Sequence, residues 1–119
     1  MGSRKASESP PRVRQNPLGR TRLREMIEEA IVDAYGESEQ IGGLYTAIDE
    51  HLVVPFETTV LGMAVTVKGV DLTDRGEIVA VCSRGRHRQA IPILDLPLPS
   101  PAPEGAEWIE AYRLWAGGS

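Results

Sequence analysis

The chain has 119 residues, a formal net charge of −4, 41% hydrophobic residues and one cysteine, Cys82. That length fits one domain plus a tail, and a lone cysteine excludes both an internal disulfide and a cysteine-based metal motif. No apolar run reaches the roughly 18 residues of a membrane span, and the N-terminus lacks the apolar core of a secretory signal. A cytoplasmic location with no membrane partner is expected.

The net charge conceals a division. Residues 1–24 carry seven basic side chains and one acid, a net of +6. Residues 25–119 carry sixteen acids and six bases, a net of −10. An acidic body favours cations or basic partners and repels nucleic acid.

Residues 1–20 are rich in Ser, Pro and Arg and show no periodicity. Such a segment buries too little apolar surface to offset chain entropy, so a disordered basic tail is expected there. A single domain is expected over residues 21–116, followed by a flexible end at 117–119. Leu23, Met26, Ile27, Ala30, Ile31 and Ala34 repeat on one face of a helix. Thr21 suits its N-cap, and Gly36 suits the left-handed residue that ends it. A second helix is expected on Ile41, Leu44, Tyr45, Ile48 and Leu52, ended by Pro55. Gly42 and Gly43 weaken that helix but would let the two helices approach closely and pack antiparallel.

The period then becomes two. Leu61, Met63, Val65 and Val67 share one face of a strand, opposite Thr66 and Lys68. Residues 71–76, DLTDRG, read as a turn. Strands are expected at 78–83 and 89–94, joined by RGRHR at 84–88, with Pro92 marking an edge strand. LPLPSPAP at 96–103 reads as extended chain. The segment EGAEWIEAYRLW at 104–115 reads as a short helix packing Trp108, Ile109, Tyr112 and Trp115 onto the core. A helical hairpin, a small antiparallel sheet and a closing helix define an α+β domain.

The chemistry concentrates in VDAYGESEQ, residues 32–40. Asp33 falls where a helix ends and its carbonyls carry partial negative charge, a poor place for an anion unless a cation is near. Asp49 and Glu50 repeat the fault at the end of the second helix. Ca²⁺ would reverse these penalties, since it takes six to eight hard oxygens from carboxylates and carbonyls. Glu37 and Glu39 also suit the first turn of a helix without any ion. No EF-hand fits. Counting from Asp33, position 6 is Ser38 and position 12 is Leu44; counting from Asp71, position 5 is Arg75 and position 12 is Cys82.

Four segments, EEAIVDAYGESEQ, VPFETTVLG, RQAIPILDLPLP and PEGAEWIEAYRLW, resemble the cyanobacterial CcbP-type calcium-binding proteins, over about residues 23–115. The resemblance implies a small α+β protein that binds Ca²⁺ without EF-hands, as an intracellular buffer or sensor. In filamentous cyanobacteria the family is linked to heterocyst differentiation. Asp33 is the residue most directly carried over, then Glu39; Glu37, Asp49 and Glu50 join them on local chemistry. Asp71 and Asp74 are candidates for a second site. An aromatic residue would be expected where Leu44 stands, a departure that bears on packing more than on the metal.

The remaining residues point elsewhere only weakly. Cys82 lies among apolar neighbours and reads as a buried thiol. His51 and His87 have no zinc-ligand spacing. No catalytic constellation or phosphate loop stands out, so no enzyme is expected. Calcium ions are the expected partner, with an unidentified regulatory protein beside them, and a monomer is expected. Nucleic acid is not an expected partner. The alternative function is a protein- or nucleic-acid-binding module using the small sheet and the Arg84–Arg88 hairpin.

Overall fold

The computed structural model describes residues 19–117. The expected disordered tail lies outside the described residues except for Gly19 and Arg20, which cap and open the first helix. Of the expected flexible end, residues 118 and 119 also lie outside them.

Helix α1 spans Arg20–Ala30 and buries Leu23, Met26 and Ile27. Its N-cap is Gly19, with no side-chain cap, so Thr21 lies inside the helix. The helix also stops earlier than its apolar period suggests. Ile31 is the C-cap, and the left-handed residue beyond it is Asp33, at φ 68°. Asp tolerates this conformation better than most residues because its short polar side chain can bond locally. Gly36, at φ −144°, is instead the N-cap of α2, which spans Glu37–His51. Pro55 therefore lies four residues beyond the end of α2.

The close approach expected of the two helices is present. A Cβ on Gly43 would collide with the Ala30 carbonyl oxygen, whereas Gly42 faces open space. Only the second of the paired glycines is required for packing.

Four antiparallel strands follow: β1 (Phe56–Val60), β2 (Met63–Leu72), β3 (Ile78–Arg84) and β4 (His87–Pro92), in the spatial order β1-β2-β3-β4. Strand β1 has no counterpart in the periodicity. Leu61 was expected in a strand but sits in the two-residue turn between β1 and β2, with Gly62; both have positive φ, 52° and 79°. That pair of left-handed residues matches the twist of a type I′ hairpin. A bulge at Lys68 shifts the β2–β3 register between Val67 and Gly69. Strand β4 is an edge, as Pro92 indicated.

One face of the sheet contributes Val65, Val67, Ile78, Ala80 and Cys82 to a core shared with Leu23, Met26, Leu44, Ile48 and Ile109. Each such Leu or Ile contributes about 1.5–3 kcal/mol by leaving water. Leu44, at the position where an aromatic was expected, is fully buried.

The proline-rich stretch is held to this body by specific polar contacts. Buried Thr58 donates a hydrogen bond to the Pro97 carbonyl at 2.6 Å. The Val53 N–H donates to the Glu104 carbonyl at 2.9 Å. Helix α3, Glu107–Gly117, buries Trp108, Ile109, Ala111 and Tyr112 and packs on α1 and α2. Trp108 stacks on His51 with ring centroids 5.1 Å apart.

Candidate metal centre

The α1–α2 connection, residues 31–36, is built by two small turns. The Ala34 N–H bonds the Ile31 carbonyl at 2.9 Å, and the Gln40 N–H bonds the Gly36 carbonyl at 2.9 Å. No described group donates to the carbonyls of Val32, Asp33, Ala34 or Tyr35. Asp33 is exposed, and Val32 and Tyr35 beside it are 68% and 89% exposed. An exposed carboxylate on a connection whose carbonyls take no described donor offers oxygens alone, which suit a hard cation better than a transition metal. Asp33 was expected in the last turn of α1; the early end of the helix places it three residues beyond, on the connection itself.

Glu39 has a structural partner. Its Oε1 accepts the Tyr35 N–H at 2.9 Å, closing the connection from the first turn of α2 much as a capping box does. Glu37 is exposed in that same turn, where its charge suits the helix dipole.

Asp49 and Glu50 lie exposed in the last turn of α2. Asp71, on β2, accepts the Leu72 N–H at 2.9 Å. Asp74 is exposed in the β2–β3 turn. Asp49 and Asp71 come from different elements, yet both act on Tyr45. Burial raises the pKa of that phenol first, and the charges of Asp49 and then Asp71 raise it further. The β2–β3 turn borders α2 as well, since a Cβ on Gly76 would touch the Ile41 side chain at 3.9 Å.

The seven candidate carboxylates thus divide into an α1–α2 group (Asp33, Glu37, Glu39), a pair around Tyr45 (Asp49, Asp71), and the outlying Glu50 and Asp74. Among the described residues, no three His, Cys, Asp or Glu side chains stand close enough together to hold a metal ion by themselves. A cation here would need carbonyl oxygens or water beside one or two carboxylates, which is ordinary for Ca²⁺. Sequence reasoning did not single out Tyr45 as a phenol that both Asp49 and Asp71 act on. Its only sequence signal is the i, i+4 spacing to Asp49.

Cys82 is fully buried, and burial pushes its thiol pKa up. Arg84, Arg86 and Arg88 are exposed and make no ion pair with a described residue. No described helix is long and apolar enough to cross a membrane.

The exposed connections of this acidic α+β domain offer oxygen donors, the chemistry that suits a hard cation. A family described as calcium binding, the CcbP type, matches residues 24–116, and the chain belongs to it. No curated protein and no solved structure matches the chain. Calcium binding is the function that this membership establishes.

Proposed function

We propose that the chain is a cytoplasmic, non-enzymatic calcium buffer or sensor whose ion-binding unit is the domain at residues 21–116. Its principal ion would lie at the α1–α2 connection. The observation that carries this reading is the left-handed Asp33 on an exposed connection where no described group donates to the carbonyls of residues 32–35. In this reading Asp33 supplies the charged ligand, carbonyls and water supply the remainder, and Glu37 can swing toward the ion. Glu39 serves first as the closure of the connection. Asp49 and Asp71 would form a weaker second site, apart from the outlying Glu50 and Asp74.

Isothermal titration with Ca²⁺ at near-physiological ionic strength tests this. Heat fitting an affinity on the order of 10⁻⁷–10⁻⁵ M, in the range of calcium sensors, is expected. Its retention in Asp33→Asn would move the site away from the connection. In a filamentous cyanobacterial host the same reading extends to heterocyst differentiation. It is checked by scoring heterocyst frequency when the wild-type and Asp33→Asn chains are overexpressed.

A further inference from the structure

Because β2 and β3 pair antiparallel, the two-residue turns at Leu61–Gly62 and Gly85–Arg86 lie at the same end of the sheet. The acidic β2–β3 turn lies at the other end. Continuing the register three residues past Thr66 and Ser83 brings Met63 level with Arg86. The two hairpins then stand about 10 Å apart, two strand spacings.

This end of the sheet combines two independent features. First, it presents apolar side chains to solvent. Leu61 is 96% exposed and Met63 is 42% exposed. Leu61 also holds φ 52°, where Asn or Gly would be at ease and leucine is strained. Second, it is basic. Arg84, Arg86, His87 and Arg88 are all exposed, and none pairs with a described acid. Three of the six basic residues in a segment of net charge −10 therefore lie at this one end of the sheet, beside an exposed leucine.

We infer that the Leu61–Met63 and Arg84–Arg88 hairpin tips form a docking surface for an anionic lipid bilayer. Leu61 enters the acyl boundary while the arginines meet the phosphate headgroups. The carboxylates elsewhere on the body are repelled by the same surface, which orients the domain tip first. The expectation of no membrane partner rested on the lack of a spanning segment, and peripheral docking needs none. A nucleic acid would engage the arginines but leave a fully exposed leucine unexplained.

The test is flotation of the full-length chain with vesicles. Phosphatidylcholine alone is compared with phosphatidylcholine containing about 30% phosphatidylserine, the anionic component. Both are run with a calcium chelator at about 0.1 M salt, so that exposed charges remain only partly screened. Leu61→Asn is the key variant, since Asn-Gly suits the turn better than Leu-Gly and preserves the fold. Binding to the anionic vesicles alone is expected, reduced about fivefold by Leu61→Asn and lost in the triple substitution Arg84→Gln, Arg86→Gln, Arg88→Gln. Absence of binding by the wild type overturns the proposal. So does equal binding by both variants, which would assign the attraction to the basic residues 4–24. Binding to a duplex oligonucleotide that is lost in the arginine variant and kept in Leu61→Asn, with no vesicle binding, would reassign the tip to nucleic acid.

Discussion

Gly43 of α2 rests directly against the Ala30 carbonyl that ends α1, with no space for a side chain between them. The contact brings the two helices together just before the candidate calcium connection. Gly43→Ala is expected to destabilise the protein by about 1–3 kcal/mol, because backbone must move to admit the methyl group. Gly42→Ala, one residue away in open space, is expected to stabilise it by roughly 0.5–1 kcal/mol through helix propensity. Urea denaturation of the two variants measures both, and equal effects would contradict the close approach.

Asp33 combines a backbone role with a charge, and two substitutions separate them. Asp33→Asn keeps a residue that tolerates positive φ and removes the charge. It is expected to leave the calcium-free Tm unchanged while weakening calcium binding by roughly tenfold, about 1.4 kcal/mol. Asp33→Ala should also lower the calcium-free stability, by about 1–2 kcal/mol, because alanine is strained in the left-handed region. Titration calorimetry and thermal melts with and without a chelator check the pair.

Glu39 is expected to act on stability more than on the ion. Glu39→Gln retains an oxygen that can accept the Tyr35 N–H, so the fold should be little changed. Glu39→Ala loses that acceptor and should cost about 1 kcal/mol, typical of a lost helix cap. A large loss of calcium affinity in Glu39→Gln, with stability intact, would promote Glu39 to a direct ligand.

The raised pKa values give a signed dependence on pH. Burial holds the Cys82 thiol above its ordinary value of 9.0 and the Tyr112 phenol above 10.0; Glu77 raises Tyr112 further, and a backbone hydrogen bond from Ile78 opposes this. Tyr45 is raised likewise. In each case the folded state holds the proton more tightly than the unfolded chain. Their contribution is therefore complete below the ordinary pKa and is lost as pH rises through the folded value. Stability should begin to fall above pH 9.0, the point at which Cys82 would ionise in an unfolded chain. Denaturation midpoints across alkaline pH test this, and Cys82 should resist thiol reagents until the fold opens.

The Asp49 and Asp71 charges at Tyr45 can be read optically. Alkaline titration of the tyrosinate absorbance, assigned to Tyr45 with a Tyr45→Phe control, should show a lower pKa in Asp71→Asn and in Asp49→Asn. A shift in neither variant would separate these residues and remove the basis for a second site.

Apolar repeats made much of this architecture legible. Leu23, Met26 and Ile27 marked α1, and Val65 and Val67 marked the buried face of β2. Boundaries were harder, because they depend on single backbone conformations that composition does not specify. Gly36 was the natural residue to end α1, yet Asp33 takes the left-handed conformation and frees Gly36 to begin α2. Strand β1, FETTV, escaped because only Thr58 in it is buried, and that residue is polar. Leu61 looked like strand because it continues an alternating apolar series; the hairpin turn places it in solvent. Of the site, the acidic helix ends were visible in sequence. The joint effect of Asp49 and Asp71 on Tyr45 was not, since it depends on how β2 is laid beside α2.

The Trp115 indole N–H donates to Gln40 Oε1 at 3.1 Å, and Trp115 also stacks on Tyr112. Gln40 follows Glu39, whose carboxylate closes the connection around Asp33. The protein thus carries its own fluorophore, wired by two neighbouring residues to the loop where the ion is proposed to sit. Trp108, the other tryptophan, is buried against His51 at the far end of α2 from the connection. If calcium remodels the connection, the emission of Trp115 should change in colour or intensity during a stopped-flow mix. If the ion enters a rigid loop, it should not. A single unlabelled sample can therefore separate a signalling device from a passive store.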